Sequence, residues 1–251
     1  MEPMEPILET VDLSKSFGMV FAVDGISVAL APGEVVGIVG TNGSGKTTFL
    51  NLITGYLRPN EGRIRFQGRD ITGLSPKRVT ALGIARSFQI PQLYTGMSVL
   101  DNVLLAVAGR SRRGWDFWLP LRRDTWIEEV ERVLGQFGFD DADRQIVANL
   151  PEGARKLLDV AVSFILRPTL LLMDEPTSGV SVSDKFAVMD TLMQVLKETN
   201  VTTVLIEHDM EIIERYADRA LAFDGGQIIA DGRVADVLDD RDVRRAILGV
   251  D

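Results

Sequence analysis

Residues 34–55, EVVGIVGTNGSGKTTFLNLITG, predict a buried strand, a tight glycine-rich loop and an amphipathic helix in direct succession. Glycine lets the backbone turn so that successive N–H groups point into one concavity. The N-terminus of the following helix adds its positive end to the same concavity. The stretch therefore predicts an anion-binding loop between a strand and a helix.

This loop meets the pattern G-x-x-x-x-G-K-[ST] with Gly40, Gly45, Lys46 and Thr47. The ammonium group of Lys46 supplies positive charge to β- and γ-phosphates, and the hydroxyl group of Thr47 is the expected ligand of Mg²⁺. A dinucleotide-binding loop is disfavoured because GTNGSG lacks the spacing G-x-G-x-x-G. A nucleoside triphosphate is therefore the expected ligand.

The composition is that of an ordinary soluble globular protein, with 45% hydrophobic and 25% charged residues in a chain of 251. The net charge of −9 argues against general affinity for nucleic acid, which needs a basic surface. The sequence has no cysteine, which excludes disulfides and thiolate metal sites. No apolar stretch reaches the roughly 20 residues of a membrane span, and the acidic N-terminus is unlike a signal peptide.

Two acidic residues directly follow a short buried strand predicted at residues 170–173. Folds with a phosphate loop place an aspartate at such a strand end to hold Mg²⁺, which assigns that role to Asp174. Glu175 lies one position further on and is placed to polarise the water that attacks the γ-phosphate. The alternative role for Glu175 is that of a capping carboxylate.

The only histidine, His208, follows another predicted strand at residues 201–206. Ligands of open α/β sheets bind at the carboxyl ends of strands, so His208 is a candidate contact of the γ-phosphate. Phe17 precedes the phosphate loop and either stacks on an adenine or packs beside a strand. Gln89 follows an apolar run and, judged by itself, is a solvated polar residue.

Residues 91–166 differ in character from the flanking segments because helical periodicity replaces short apolar runs. Three helices are predicted, at residues 98–107, 125–137 and 153–166. Residues 110–123, RSRRGWDFWLPLRR, combine five arginines with Trp115, Phe117 and Trp118. This basic-aromatic loop suits a membrane interface or a partner protein, and the alternative is an insertion that packs on its own helices.

The rest of the chain alternates short apolar runs with turns and helical patterns. Ser181 and Asp184 match the capping box [ST]-x-x-[DE] ahead of a helix. Further strands are predicted at residues 7–11, 26–30 and 62–66 and on both sides of residues 224–226, with a helix ending at residue 82 and a final helix carrying Val243, Ile247 and Leu248.

Four segments in this order, GTNGSGKT, SFQIPQLYTGMSVLDNV, LLLMDEPTSG and VLIEHDM, resemble the nucleotide-binding subunit of an ATP-binding cassette (ABC) transporter. The resemblance runs from about residue 7 to the C-terminus. It implies an α/β fold: a phosphate-loop NTPase core with a mixed, mainly parallel sheet flanked by helices, an antiparallel β edge and a helical subdomain. It also implies one ABC ATPase domain over residues 1–251, with the core in residues 7–90 and 167–251 and the helical signature subdomain in residues 91–166.

The resemblance implies roles for individual residues. Phe17 would stack on the adenine, Gln89 would join Mg²⁺ to the helical subdomain, and His208 would act with Glu175 in catalysis. The metal ligands would be Thr47, Gln89 and Asp174. The residues that would contact ATP are Phe17, Val23, Gly40, Thr41, Asn42, Gly43, Ser44, Gly45, Lys46, Thr47, Thr48 and Gln89.

The signature segment departs from the family pattern, because residues 150–154 read LPEGA where the family usually has LSGGQ. In the family this segment covers the ATP held by the opposite subunit. Loss of the serine hydroxyl costs roughly 1.5 to 3 kcal/mol of binding, and a like-charge contact from Glu152 costs about 4 kcal/mol at 4 Å. The simpler explanation is that Pro151 and Glu152 suit the first turn of a helix. Ser181, where the family usually has aspartate, is given no catalytic role.

The predicted function is an ATP-hydrolysing transporter subunit, most similar to importers of branched-chain amino acids or of related amino acids and amides. Its expected partners are a second ATPase subunit, membrane-spanning permease subunits and, indirectly, a substrate-binding protein, but no nucleic acid. A heterodimer is favoured by the signature segment, and self-pairing is the alternative. The expected location is the cytoplasmic face of the membrane. Alternatives are the ATPase of a lipid or lipopolysaccharide exporter, a soluble ABC ATPase and a regulatory subunit that binds ATP without hydrolysis.

Overall fold

A computed structural model describes residues 5–110 and 120–248. The strands are β1 (Leu8–Phe17), β2 (Val20–Leu30), β3 (Val35–Gly40), β4 (Glu61–Phe66), β5 (Arg69–Asp70), β6 (Ile84–Ser87), β7 (Leu170–Asp174), β8 (Thr202–Ile206), β9 (Arg219–Asp224) and β10 (Gln227–Arg233). The helices are α1 (Lys46–Ile53), α2 (Pro76–Leu82), α3 (Val99–Arg110), α4 (Asp124–Gln136), α5 (Glu152–Phe164), α6 (Lys185–Thr199), α7 (Met210–Tyr216), α8 (Val234–Asp239) and α9 (Arg241–Leu248).

The strands form two sheets. One is antiparallel, in the order β2-β1-β4-β5. The other has the order β10-β9-β3-β8-β7-β6 and is parallel except for the antiparallel edge strand β10. This mixed α/β architecture with an antiparallel sheet is the predicted fold class.

Strands β3, β7 and β8 are buried along their whole length. Parallel strands covered on both faces are near-continuous apolar runs, which is why their sequences lack polar alternation. Val35 and Val39 of β3 pack into one core, whereas Val36 and Ile38 pack into a second core on the opposite face. The central sheet therefore separates two hydrophobic cores and holds the carboxyl ends of β3, β7 and β8 in fixed register.

The β1–β2 hairpin is much longer than the two short strands predicted at residues 7–11 and 26–30. The pairing of β1 with β2 shifts register between Thr10 and Leu13 and again on either side of Lys15. Each irregularity interrupts the alternation of polar and apolar residues, which hides the strand from a period-2 pattern. The extended hairpin brings Phe17 to its tip.

Helices α3, α4 and α5 occupy the region predicted to be helical, and they pack against one another within the first core. The rings of Phe137 and Phe164 meet edge to face, with centroids 5.7 Å apart. The basic-aromatic residues Trp115, Phe117 and Trp118 lie outside the described residues. The subdivision of the chain at residues 90 and 167 stays a prediction.

The capping-box prediction at Ser181 is wrong. Helix α6 begins at Lys185, and Asp184 occupies its N-cap without a side-chain capping bond. The hydroxyl group of Ser181 donates to the Asp184 carboxylate, 2.7 Å away, and the Ser181 carbonyl accepts the backbone N–H of Lys185. The turn is closed by backbone hydrogen bonds, so the side chain is not needed as a cap. The sequence analysis did not predict helices α7 and α8, which span seven and six residues.

Within residues 5–110 and 120–248, none of the helices is both long and apolar enough to cross a membrane.

Candidate functional site

The phosphate loop lies between β3 and α1, as the sequence predicts. Gly40 and Gly45 have φ values of 154° and 106°, in the region that favours glycine. A Cβ atom on Gly45 would lie 2.2 Å from the carbonyl oxygen of Ala22 in β2. No other residue fits at Gly45 without moving the backbone, so glycine here lets the antiparallel sheet approach the loop.

Lys46 closes this loop from inside. Its Nζ donates to the carbonyl oxygens of Gly40 and Thr41, at 2.7 and 2.8 Å. Burial lowers the pKa of Lys46, and the nearby carboxylates of Glu175 and Asp174 oppose that effect. The ammonium group is thus held at the centre of the loop, close to both acidic residues that follow β7.

The hydroxyl group of Ser44 is an unpartnered polar atom in the loop. Its Oγ is buried and has no hydrogen-bond partner among the residues that the structure describes. A buried hydroxyl is costly unless it is hydrogen-bonded, and a phosphate oxygen is a suitable acceptor for it. Thr41, Asn42, Gly43 and Thr47 are exposed at the loop surface. The loop therefore fits a phosphate group.

Three side chains predicted from separate segments meet at one carboxylate. Gln89 Nε2 donates to Glu175 Oε2 at 2.7 Å, and His208 Nε2 lies 2.9 Å from Glu175 Oε1. Glu175 follows β7 with a left-handed φ of 51°, and its N–H donates to Ile206 O of the neighbouring strand. A non-glycine residue in this conformation carries strain, which is common at functional sites. Parallel strand ends thus assemble Gln89, Glu175 and His208.

Asp174, at the end of β7, is paired with an arginine that the sequence analysis did not single out. Arg86 Nη2 lies 2.6 Å from Asp174 Oδ2, and both side chains are buried. Arg86 Nη1 donates to Asn51 Oδ1 of α1, also at 2.6 Å. Because a buried charge requires a partner, the guanidinium group compensates the Asp174 carboxylate in this structure.

The oxygen donors of Thr47, Gln89 and Asp174 are a hydroxyl, an amide and a carboxylate. Such hard oxygen ligands match the preference of Mg²⁺, which binds proteins through one or two carboxylates together with substrate phosphates. The buried negative charge of Asp174, here matched by Arg86, is of the kind that a divalent cation compensates. The residues present therefore fit Mg²⁺.

The hairpin side of the site is more open. Phe17 is 53% exposed, and Lys15 Nζ lies 5.5 Å from its ring centroid. An exposed aromatic face is available for stacking, whereas the packing alternative for Phe17 requires burial. Val23 is fully buried in the second core. A contact between either residue and ATP stays a prediction, as does a contact from Thr48.

The signature segment leads into helix α5, which begins at Glu152 with Pro151 at its N-cap. Glu152 complements the positive end of this helix and lies 3.8 Å from Arg155 one turn on. A Cβ atom on Gly179 would lie 3.5 Å from Cγ of Glu152, so the segment packs beside the loop after β7. The helix-start explanation of these residues is consistent with the structure.

Sequence reasoning missed Arg86, Lys156 and Asp159 and assigned no role to Glu207. Each is a charged residue inside an apolar run or at a strand end. Such a position indicates that the charge is buried but does not show which group it pairs with. Glu207 accepts hydrogen bonds from the backbone N–H and hydroxyl group of Thr177, at 2.9 and 2.7 Å. Burial raises the pKa of Glu207, and the bonds from Thr177 oppose that rise. This contact joins the loop after β7 to the loop carrying His208.

The fold and the loop geometry define a phosphate-loop nucleoside triphosphatase. The model of the ABC transporter family matches residues 23–178. The probable branched-chain amino acid transport ATP-binding protein LivG of Archaeoglobus fulgidus is 34% identical over 247 residues, covering 97% of this chain and 95% of that protein. The high-affinity branched-chain amino acid transport ATP-binding protein LivG of Escherichia coli K12 is 31% identical, with 98% of each chain covered.

Two solved structures are similar along nearly the whole chain. A nucleotide-free ATP-binding cassette from an ABC transporter has a TM-score of 0.84 at 31% identity, covering 95% of this chain and 97% of that one. The ADP conformation of an ATP-binding cassette has a TM-score of 0.87 at 31% identity, covering 98% and 100%. The chain belongs to the ABC transporter family and is an ATPase of that family.

Proposed function

We propose that this chain is the ATP-hydrolysing subunit of an importer of branched-chain amino acids or related amino acids and amides. The observation that carries the proposal is the Glu175 carboxylate, held between Gln89 and His208 beside the phosphate loop. The names of relatives at 31–34% identity support the substrate class. These relatives align with nearly the full length of this chain, which is consistent with the same substrate class.

The phosphate loop binds the triphosphate through its backbone N–H groups, Lys46 and Ser44. Lys46 exchanges its carbonyl partners for phosphate oxygens, which is favourable because a charged acceptor forms the stronger hydrogen bond. Thr47, Gln89 and Asp174 would hold Mg²⁺, which would neutralise phosphate charge. Phe17 stacks on the adenine from the tip of the β1–β2 hairpin.

Glu175 then acts as the general base. A water molecule beside its carboxylate attacks the γ-phosphorus, its proton passes to Glu175, and the bond from the γ-phosphorus to the β-γ bridging oxygen breaks to leave ADP. Gln89 and His208 orient the carboxylate and the γ-phosphate. Gln89 would coordinate Mg²⁺ through its Oε1, which leaves its Nε2 to donate to Glu175.

The substitution Glu175→Gln tests this role. It preserves the shape of the side chain and one acceptor oxygen but removes the basic carboxylate, so the hydrolysis rate should fall by about 10² to 10⁴. ATP affinity, measured by equilibrium binding, should stay within about twofold because the phosphate loop is unchanged. Glu61→Gln, at an exposed position on β4, is the matched control and should leave both quantities unchanged. An unchanged hydrolysis rate in Glu175→Gln would contradict the assignment of Glu175 as the general base.

The chain consists of one ABC ATPase domain over residues 1–251, with its core in residues 7–90 and 167–251. Residues 91–166 form the helical subdomain that carries the signature segment. The mutual packing of α3, α4 and α5 supports this division. The subunit docks on permease subunits at the cytoplasmic face of the membrane, and through them it serves a substrate-binding protein.

Two such ATPase subunits close on two ATP molecules, and the degenerate signature segment makes the pair asymmetric. A partner with an intact signature completes the site formed by this chain's Lys46 and Glu175. The reciprocal site faces Glu152, which is 43% exposed and available to a neighbour. Its negative charge opposes the γ-phosphate, so that site is weak.

A further inference from the structure

Helix α5 carries a row of buried polar side chains on one face. Lys156, Asp159 and Ser163 are spaced by three and four residues, so they lie one above another along the helix. Each is at most 6% exposed. Buried polar groups require hydrogen-bond partners, and a charged group requires them most. We call these three side chains the α5 seam.

All three seam residues bind the backbone of residues 86–92. The Asp159 carboxylate accepts the N–H groups of Phe88 and Gln92, at 3.0 and 3.3 Å. Ser163 Oγ donates to the carbonyl of Arg86 at 3.0 Å. Side chains from one helix therefore hold this segment at several points.

Lys156 connects the same network to the backbone of Glu175. Its Nζ donates to the carbonyl of Gln89 and lies 3.4 Å from the carbonyl oxygen of Glu175. Burial lowers the pKa of Lys156, an effect that neighbouring carboxylates, first among them Glu152 and then Asp159, oppose. One ammonium group thus bridges the backbones of the two residues whose side chains meet in the site.

The segment held by the seam carries two side chains that reach the site. Arg86 binds the carboxylate of Asp174, and Gln89 binds that of Glu175. Residues 88–92 have no regular secondary structure that would fix the backbone by itself. The position of Gln89 relative to Glu175 is therefore set largely by side chains from α5.

We propose that the α5 seam consists of positioning residues that hold Gln89 against Glu175. The proposal rests on the proposed function in assigning catalysis to Glu175. Helix α5 begins in the signature segment, so the helix that faces the neighbouring subunit's ATP also positions this chain's own Gln89. A displacement of α5 at the neighbouring subunit's ATP would therefore also move Gln89 at the ATP bound by this chain.

Amide hydrogen exchange of the full-length chain without nucleotide tests the contacts directly. In Asp159→Ala the N–H groups of Phe88 and Gln92 lose a charged acceptor, so their exchange should accelerate about tenfold or more. Asp159→Asn keeps one acceptor oxygen and should give a smaller acceleration. Amides of the phosphate loop, which the seam does not touch, should be unaffected in both variants.

Glu129→Gln is the matched control. Glu129 is a partly buried carboxylate on α4 whose partners are Arg110 and Arg167, away from the segment that the seam binds. This change should lower stability without changing the exchange of Phe88 and Gln92. It separates a local effect of the seam from general loosening of the helices.

Steady-state ATP hydrolysis separates positioning from mere structural support. Asp159→Ala and Lys156→Met should lower kcat by about tenfold or more, because misplacement of an orienting group weakens catalysis. The KM for ATP should change by less than about twofold. Lys156→Arg, which keeps the charge and the donors, should restore most of kcat.

The outcomes decide the proposal clearly. Unchanged exchange at Phe88 and Gln92, or accelerated exchange with unchanged kcat, would overturn the positioning role. Loss of stability alone, with normal kcat in the folded protein, would also overturn it. If the unmodified chain hydrolysed no ATP in any pairing, the proposed function would fail, whereas the exchange measurement would still judge the seam contacts.

Discussion

At the scale of single residues, the buried pair of Arg86 and Asp174 is the most consequential feature. The two side chains are only 6% and 7% exposed, so each charge depends on the other. Removing one partner of a buried pair leaves an uncompensated charge, which is far more costly than losing a surface pair. The same aspartate is the proposed ligand of Mg²⁺, so arginine and metal compensate one negative charge.

The variant Arg86→Met should lower the free energy of unfolding by about 3 to 5 kcal/mol in the absence of Mg²⁺. Addition of Mg²⁺ and ATP should stabilise this variant more than it stabilises the unmodified chain, because the cation replaces the missing partner of Asp174. Urea denaturation with and without the ligands measures both effects.

Arg65→Met serves as the control for Arg86→Met. Arg65 pairs with Glu9 at 3.2 Å, but both side chains are largely accessible to water. Loss of this exposed pair should cost about 1 kcal/mol or less. Equal stabilisation of Arg86→Met and the unmodified chain by Mg²⁺ and ATP would contradict the shared compensation of Asp174.

Asp159 makes stability depend on pH. Burial raises the pKa of Asp159 from 3.8 to about 6, although hydrogen bonds from Phe88 and Gln92 oppose the rise. A carboxyl group with a raised folded-state pKa stabilises the fold below its unfolded pKa and loses that contribution as pH rises through about 6. Asp159→Asn should therefore gain about 2 kcal/mol relative to the unmodified chain between pH 4 and pH 7.5.

The opposite sign is expected for Glu129→Gln, which controls for general effects of pH on unfolding. Hydrogen bonds from Arg110 lower the pKa of Glu129, so its contribution is lost as pH falls rather than as it rises. Denaturant unfolding across the pH range compares the two variants. A pH-independent difference between Asp159→Asn and the unmodified chain would mean that the carboxyl group titrates normally.

At the scale of elements, helix α5 combines two demands at its N-terminus. Pro151 and Glu152 suit the start of a helix. A helix does not use the N–H group of its first residues, so proline is tolerated there, and the acid complements the helix dipole. In the proposed dimer, the family pattern LSGGQ would instead contact the neighbour's nucleotide. In the proposed asymmetric dimer, the residues that stabilise this helix are also the ones that weaken the reciprocal ATP site.

The double change Pro151→Ser with Glu152→Gly should separate these demands. Stability should fall by about 1 kcal/mol, because glycine replaces a favourable acid in the first turn. ATP hydrolysis by the self-paired chain should rise, because the like charge facing the γ-phosphate is removed. Thermal unfolding and steady-state hydrolysis measure the two effects. If hydrolysis does not change, the signature departure is functionally silent.

At the scale of the whole molecule, the central sheet brings distant segments together. The phosphate loop, Gln89, Glu175 and His208 span 169 positions from Gly40 to His208 inclusive, yet they meet where parallel strands end at one edge. The signature segment faces away from this chain's own nucleotide in the proposed dimer. The proposed function therefore predicts that complete catalysis requires a second subunit, and the pairing partner is testable.

The purified chain should hydrolyse ATP slowly by itself and faster when mixed with a partner ATPase subunit that has an intact signature. A partner carrying glutamate at the third signature residue, the position of Glu152 in this chain, is the matched control and should give no acceleration. Hydrolysis assays at constant total subunit concentration make the comparison. Full activity of the isolated chain would contradict the asymmetric heterodimer.

Local sequence patterns were sufficient for the elements of the site. The phosphate loop was recognisable because its glycines, Lys46 and Thr47 are contiguous, and β7 and β8 were recognisable as short apolar runs. Asp174, Glu175 and His208 could be placed because parallel strands align their carboxyl ends. The bulged part of β1 was missed because irregular pairing removes the alternation on which strand prediction depends.

The sequence by itself determined the phosphate loop, the buried strands and the identity of the residues that follow them, since each depends on a local pattern. Only the tertiary structure decided that Arg86 pairs with Asp174 and that Lys156 and Asp159 hold the backbone around Gln89. The physical reason is that a charged residue within an apolar run requires a partner when it is buried, but the sequence does not show which residue that partner is. Partners separated by many residues are selected by the packing of α5 and β7 against β6, which no local pattern encodes.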